Sequence, residues 1–393
     1  MSAPSIIEVP LTALSEGTLR GLIEEFVTRA GTDYGEDEKS LEQKMADVRR
    51  QLVRGEAKII FDPDTDTANI VEFRPGALGR SAPDAPMALG PRSQSADLAQ
   101  RGHRTMGIAV VTGTSSGIGL ATSLHLARHG YRVVAGMRNL GKSGPLREAA
   151  AAEDLPVHVV ELDVTSGASV TAAFAAIAGD GPVDVLVNNA GIGGASPLEL
   201  TPEDEHRRMF ETNYFGAVHC IQAVLPAMRE RRHGAVVNVT SMAGRWATPN
   251  QIPYSASKWA LECLGEALAH EVRRFGIRVV NIEPGVVITK IFENSAGATR
   301  YDKTSPYQSI MRRNGKVFAA GFRAAVQPEA VAAIILESIT SPQYRLRWPV
   351  GEDAVGFVQG RPKISDEDWV AMGDDLSDEE YNRRFFEYFG IRL

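Results

Sequence analysis

Tyr254 and Lys258 stand four residues apart in a helical pattern, so both fall on one helix face. A phenol titrates near pH 10, and an ammonium one helical turn away favours its ionised form. Such a pair can give or take a proton near neutral pH. Ser241 lies thirteen residues before the tyrosine, at the end of an apolar strand-like run. Its hydroxyl can hold a reacting oxygen against Tyr254. Taken singly these features are ordinary, since Tyr and Lys at this spacing are common on exposed helices and a serine after a strand is usually a cap. Their weight comes from what surrounds them in order.

Upstream lies AVVTGTSSGIG, residues 109–119. A short apolar run ends in a turn holding Gly113, Gly117 and Gly119, and an apolar helical pattern follows. Strand, glycine turn and helix present backbone N–H groups and a helix N-terminus to a pyrophosphate. Asn188-Asn189-Ala190-Gly191 closes a later strand-like run, and Asp163-Val164 follows an earlier one. Asn189 has a structural alternative, in which its amide ties neighbouring strands together, and Asp163 can equally cap a turn.

These residues need a scaffold that gathers strand ends. From residue 107 the pattern alternates strand and helix, with strands expected at 108–112, 132–137, 157–164, 183–188, 235–240, 278–282 and 345–349. Apolar strands separated by helices imply a parallel sheet covered on both faces. The expected fold class is therefore α/β with a doubly wound parallel sheet, whose ligands bind at the carboxyl ends of its strands. Asn213 falls in a long helix after the fourth strand.

The ordered set resembles the short-chain dehydrogenase/reductase family. The family's TGxxxGxG turn matches Thr112–Gly119, its NNAG matches Asn188–Gly191, its serine Ser241, its YxxxK Tyr254–Lys258 and its PG turn Pro284-Gly285. The match runs from about residue 107 to about 350, with weaker agreement beyond. It implies a Rossmann-type domain over 107–393 and an NAD(P)-dependent oxidoreductase acting on CH–OH or C=O groups. Tyr254 is then the general acid/base, helped by the positive nicotinamide ring, and Ser241 orients the substrate oxygen. The resemblance adds that Lys258 binds the ribose hydroxyls and that Asn213 holds a proton-relay water. It implies cofactor contacts from Gly113, Ser115, Ser116, Gly117, Ile118 and Gly119 in the turn. It places Asp163 beside the adenine and implies further cofactor contacts from Val164, Asn189, Ala190, Gly191, Pro284, Gly285, Val287 and Thr289. No metal site is expected.

Cofactor choice follows from the end of the second strand, where an acid would bond the ribose hydroxyls of NAD. Met137 occupies that position, and Arg138 beside it can hold a 2′-phosphate, with Ser115 as a further donor. NADP(H) is therefore favoured over NAD(H). A substrate lid is expected at about 286–326, mixing Ile288, Ile291, Phe292, Tyr301, Tyr307, Ile310 and Met311 with charged residues. With Trp246 nearby this points to an apolar ketone or secondary alcohol. The wording of the second strand and of 345–354 resembles hydroxysteroid and retinol dehydrogenase-like members.

Residues 1–74 form a separate expectation, a small α+β domain of helix, helix and hairpin. Ser15 is placed to cap a helix with Leu19, Leu22, Ile23, Phe26 and Val27 on one face, and Ser40-Leu41-Glu42-Gln43 is a capping-box pattern opening a second. Strands 57–61 and 68–73 flank a strong turn signal at 62–67. Residues 22–62 resemble the YheU-like family of small uncharacterised bacterial proteins, which implies no chemistry. Residues 75–106 are rich in Pro, Gly, Ala, Ser and Arg without periodicity and read as a flexible linker. The first 74 residues carry 15 acids and 9 bases, within a chain of net charge −7. That balance argues against nucleic acid as a partner. No apolar run reaches the length of a membrane span, no secretory signal pattern is present, and two cysteines suit a reducing cytoplasm. The partner expected is a small-molecule substrate, and the resemblance implies a homodimer or homotetramer. A non-catalytic dinucleotide sensor or scaffold presenting the N-terminal module stays open as the alternative.

Overall fold

The computed structural model describes residues 7–9, 19–20, 22–24, 40–54, 57–62, 67–72, 106–289 and 304–393. The chain divides into two compact units, Met1–Gln94 and Ser95–Leu393.

In the first unit, strands β1 (Ile7–Val9), β2 (Ala57–Asp62) and β3 (Thr67–Glu72) form an antiparallel sheet in that order. The helix α1 (Leu41–Arg54) begins with a true capping box. Gln43 N donates to Ser40 Oγ at 3.3 Å, and Ser40 N donates to Gln43 Oε1 at 3.0 Å. Leu19, Ile23, Val48, Leu52, Ile59 and Ile70 form the core. The expected helix–helix–hairpin order lacked β1, which pairs Ile7 with Phe61 and Val9 with Ile59. Three residues before Pro10 are too few for a period to show, so β1 is defined by its partner alone. Ser15, Phe26 and Val27 lie outside the described residues, as do 73–105, which include nearly all of the expected linker.

The second unit is built on seven strands: β4 (Gly107–Thr112), β5 (Tyr131–Met137), β6 (Val157–Glu161), β7 (Val183–Asn188), β8 (Gly234–Val239), β9 (Ile277–Pro284) and β10 (Arg347–Val350). They pair in the order β10-β9-β8-β7-β4-β5-β6, all parallel. The order reverses between β4 and β7, which opens a crevice at their carboxyl ends. Strand β6 stops at Glu161 rather than 164, because Asp163 turns the chain by accepting from Thr165 N at 3.0 Å and Thr165 Oγ1 at 2.8 Å.

Helices cover both faces, as a sheet of apolar strands requires. On one face, α2 (Gly117–Arg128) supplies Leu126 and Ala127, and α9 (Pro328–Thr340) supplies Val331 and Ile335. On the other, α4 (Gly167–Asp180), α6 (Gly216–Arg231) and α7 (Ile252–Val272) supply Phe174, Val224 and Leu268. Beyond β5 lies α3 (Gly144–Ala152). The run expected as one long helix around Asn213 is α5 (Glu203–Phe210), a π-helical turn at Glu211–Phe215, and α6.

A third apolar cluster stands beside the carboxyl ends of the strands. It joins Trp246 to Val317 of α8 (Gln308–Arg323), Phe357 of α10 (Glu352–Gly360), Met372 just past α11 (Asp366–Ala371), and Tyr381, Phe385 and Phe389 of α12 (Asp378–Phe389). Trp246 stacks on Phe357 with ring centroids 3.9 Å apart and planes 6° from parallel.

Candidate active site

The glycine turn leaves β4 and enters α2 at the switch point. Gly119 cannot be replaced by a larger residue, because a Cβ there would sit 2.4 Å from the Gly113 carbonyl oxygen and 2.5 Å from Asn189 Nδ2. That crowding shows what Asn189 does: its amide donates to the Thr112 and Gly113 carbonyls at 2.9 and 3.2 Å. Thr112 Oγ1 accepts in turn from Asn189 N and Ala190 N, each at 3.0 Å. The structural alternative for Asn189 is thus realised, and its side chain ties the ends of β4 and β7 together. Ser116, the N-cap of α2, makes no side-chain cap hydrogen bond, so the helix N-terminus faces the cleft without an acceptor from its own cap.

A cleft of about 450 Å³ runs along these strand ends. Of the residues expected at the cofactor, Gly113, Ser115, Ser116, Gly117, Ile118, Arg138, Asp163, Val164, Asn189, Ala190, Gly191, Tyr254, Lys258, Pro284, Gly285, Val287 and Thr289 all line it. Gly119 does not, since it is packed beneath the turn. Met137 is buried at 2% exposure, and Arg138 is exposed at the cleft wall. Lys142 and Arg208, which the sequence reading missed, also line it. Lys142 has a signal in its position four residues after Arg138, across a short turn in which Asn139 Oδ1 accepts from Gly141 N at 2.9 Å.

Ser241, Tyr254 and Lys258 meet at the inner end of this cleft. Ser241 Oγ accepts from Ala243 N at 3.1 Å, capping the short turn after β8, and its hydroxyl faces the same space as the Tyr254 phenol. Burial pushes the phenol above its ordinary range, against a smaller downward pull from the Ser241 hydroxyl. Lys258 Nζ donates to the Val239 carbonyl at 2.9 Å and lies 5.9 Å from the centre of the Tyr254 ring. Burial lowers Lys258 to about 8, with Glu262 acting in the opposite direction. Burial is the largest influence on both groups.

Asn213 is buried behind them and does not line the cleft. Its Oδ1 accepts from Ile192 N at 2.9 Å, and its Nδ2 donates to Ile192 O at 3.0 Å and Ser257 Oγ at 2.9 Å. Both ends of the side chain are engaged. A Cβ at Gly191 would lie 3.3 Å from Asn213 Oδ1 and 3.6 Å from Lys258 Nζ, so the three residues converge.

A second cavity of about 250 Å³ opens from the same point. Ser241, Tyr254 and Gly285 line both spaces. The rest of its wall is largely apolar, from Met242, Trp246, Val286, Val317, Phe318, Phe322, Phe357 and Ile391. Of the lid residues named from the sequence, Ile291, Phe292 and Tyr301 lie outside the described residues. Ile288, Tyr307, Ile310 and Met311 do not line the cavity. Tyr307 instead donates to Glu199 at 2.6 Å, and Ile288 is 49% exposed. The cavity uses the next two turns of α8, a periodicity hidden among the charged residues of that helix. Among the described residues no group of three or more His, Cys, Asp or Glu could hold a metal ion, and no helix is long and apolar enough to cross a membrane.

A buried ionic node stands behind the site. Asn188, Asn238 and Asn281 occupy matching positions on β7, β8 and β9. Their amides are linked in series at 3.0 and 3.2 Å, and Asn281 donates to Glu262 of α7 at 2.9 Å. Arg347 pairs with Glu262 at 2.9 Å and approaches Glu283 at 3.6 Å, while Arg245 pairs with Glu283 at 3.1 Å. Burial, then the Glu262 charge, raises Glu283 to about 7 against the two arginines.

Comparison with known proteins agrees with this geometry. The family model for short chain dehydrogenase matches residues 107–299, and that of an uncharacterised protein family, UPF0270 (the YheU-like family), matches 7–74. An uncharacterized oxidoreductase of Bacillus subtilis, YusZ, is 35% identical over 257 residues, which is 62% of this chain and 89% of that protein. Retinol dehydrogenase 8 of Bos taurus is 39% identical over 252 residues, 61% of this chain and 79% of that protein. A crystal structure of a short-chain dehydrogenase from Streptomyces avermitilis covers 68% of this chain and 98% of its own, at 34% identity and a TM-score of 0.59. Since the matched stretch carries the switch-point cleft and the Ser241–Tyr254–Lys258 cluster, the chain belongs to the short chain dehydrogenase family of oxidoreductases.

Proposed function

We propose that the protein is an NADP(H)-dependent oxidoreductase that interconverts an apolar ketone and its secondary alcohol. The observation that carries this reading is the sharing of Ser241, Tyr254 and Gly285 between the switch-point cleft and an apolar cavity. Short chain dehydrogenases bind NAD(P). The residues present fit that group, because the cleft joins an uncapped helix N-terminus to a wall holding Arg138 and Lys142. When bound, the nicotinamide supplies or accepts the hydride.

The chain's own residues do the rest. In the cavity the substrate oxygen lies against Ser241 Oγ and Tyr254 Oη, which fixes it for reaction. The raised phenol of Tyr254 keeps its proton at neutral pH and is ready to give it to a carbonyl oxygen during reduction. Taking a proton from an alcohol requires the phenolate, which positive charge at Lys258 and at the oxidised cofactor would favour. Lys258, held on the Val239 carbonyl, lines the cleft and would bind the ribose hydroxyls of the cofactor. Asn213 acts as a positioning residue through Ile192 and Ser257. The NADP(H) preference rests on Arg138 and Lys142 and on Met137 standing where an acid would bind a free ribose hydroxyl. An apolar substrate is in keeping with the cavity wall and with the similarity to a retinol dehydrogenase.

The test is a panel of apolar ketones and alcohols with NADPH and with NADH, followed by nicotinamide absorbance, using the full chain. Turnover with preference for NADPH, abolished in Tyr254→Phe, is the expected result. Faster turnover with NADH would overturn the cofactor assignment, and an unimpaired Tyr254→Phe variant would overturn the mechanism.

A further inference from the structure

The geometry points to a second recognition point for substrate: the side-chain amide of Asn314 binds a neutral oxygen of the substrate, a hydroxyl or carbonyl, remote from the carbon that reacts. This rests on the reading of the cavity as a ketone and alcohol site.

Polar groups on the cavity wall differ in how they are engaged. Ser241 Oγ accepts from Ala243 N at 3.1 Å, and the Tyr254 phenol beside it belongs to the reacting end. Asp353 accepts from Val286 N at 2.7 Å and from Ala354 N at 2.8 Å. Asn314 is 8% exposed and lines the cavity, yet its side chain has no hydrogen-bond partner among the described residues. Gln251, 9% exposed and three residues before Tyr254, shares this condition at the reacting end. Buried amides are nearly always satisfied, so one turned into a cavity without a protein partner marks where a ligand's polar atom belongs.

The position of Asn314 along α8 sets the distance. Asn314, Val317, Phe318, Gly321 and Phe322 recur at helical spacing and form the face that walls the cavity. Gly321 packs closely on Val286, the residue after the Pro284-Gly285 turn, at the cofactor end. Asn314 lies seven residues earlier, two turns away, or about 10 Å at the rise of an α-helix. The helix is held in place from its other side. Arg313 donates to the Asp374 and Leu376 carbonyls at 3.2 and 2.5 Å, and Lys316 donates to Asp378 at 2.7 Å. The amide is thus presented by an anchored element. Among the described residues Asp353, already engaged by two N–H groups, is the one ionisable acid or base on the wall besides Tyr254. A neutral oxygen therefore suits the site better than a charged one.

Two ketones of one skeleton test this: 4-cyclohexylcyclohexanone and its 4′-hydroxy derivative, whose oxygens lie at opposite ends. With NADPH, kcat/KM of the native protein is expected to favour the hydroxy ketone by at least about tenfold, mainly through KM. In Asn314→Leu that ratio should fall to about one, and Asn314→Gln, which keeps an amide, should restore part of it. A native ratio near one, or a ratio unchanged in Asn314→Leu, overturns the inference. Calorimetric binding of both ketones to the native and variant proteins with NADP+ present, which cannot reduce them, separates binding from chemistry. Discriminating binding without turnover would sink the proposed chemistry and leave Asn314 standing. Equal binding of the two ketones would sink Asn314 whatever the turnover.

Discussion

Lys258 reaches past the tyrosine it follows and fastens its ammonium to the carbonyl of Val239, at 2.9 Å, the last residue of β8 and two before Ser241. The bond joins the helix bearing Tyr254 to the strand end that leads into Ser241. Its strength depends on the lysine charge, and burial brings the loss of that charge down to about pH 8.

Ketone reduction should therefore be level below pH 8 and fall as pH rises through it. Lys258 loses its proton there, while the raised Tyr254 phenol keeps its own. A pH profile of kcat/KM with NADPH checks this. A rate that climbs through pH 8 would contradict it. Lys258→Met should remove the inflection along with most of the activity.

Arg138→Ala should lower the NADPH to NADH ratio of kcat/KM by about ten- to a hundredfold, the worth of a charge-assisted contact to phosphate. Lys142→Ala should act in the same direction. Parallel titrations with the two cofactors measure it, and an unchanged ratio in both variants would remove the basis for an NADP(H) preference.

Glu283 gives a stability prediction with a definite sign. Its carboxyl is raised from 4.5 to about 7 in the folded protein, so between those values the folded state binds more protons than the unfolded one. Stability should fall as pH rises from about 4.5 to 7, by on the order of 3 kcal/mol. Glu283→Gln should flatten that slope. Denaturant titrations of both proteins at the two pH values decide the matter, and parallel slopes would refute it.

Phe389→Ala should destabilise the second unit by about 3 kcal/mol, since the ring is 4% exposed and touches Trp246 and Phe357. It should also raise KM for apolar ketones, because Phe357 and Ile391 wall the cavity. Thermal unfolding and steady-state kinetics report the two effects separately.

The sheet was legible because its strands are apolar runs bounded by turns, and a parallel sheet buries both faces of every strand. The meeting of Ser241, Tyr254 and Lys258 was legible because a YxxxK pair and a serine thirteen residues earlier need one helix and one strand end. Elements fixed by distant partners were not. Strand β1 depends on β2, and the π turn at Asn213 is invisible to a helical period. The Asn188–Asn238–Asn281 series needs the strand register before its members become neighbours. The cavity-lining face of α8 needs the anchoring contacts of Arg313 and Lys316, which reach residues some sixty positions later.

The stacking of Trp246 on Phe357 makes the indole an internal optical probe. Trp246 is shielded from water, touches the cavity, and is packed by residues more than a hundred positions downstream. Its emission should shift toward the blue when α10 and α12 dock and should change again when a molecule enters the cavity. Replacing Trp259, Trp348 and Trp369 by Phe would isolate that signal. The same chain could then report both the assembly of its cavity and its occupancy without an added label.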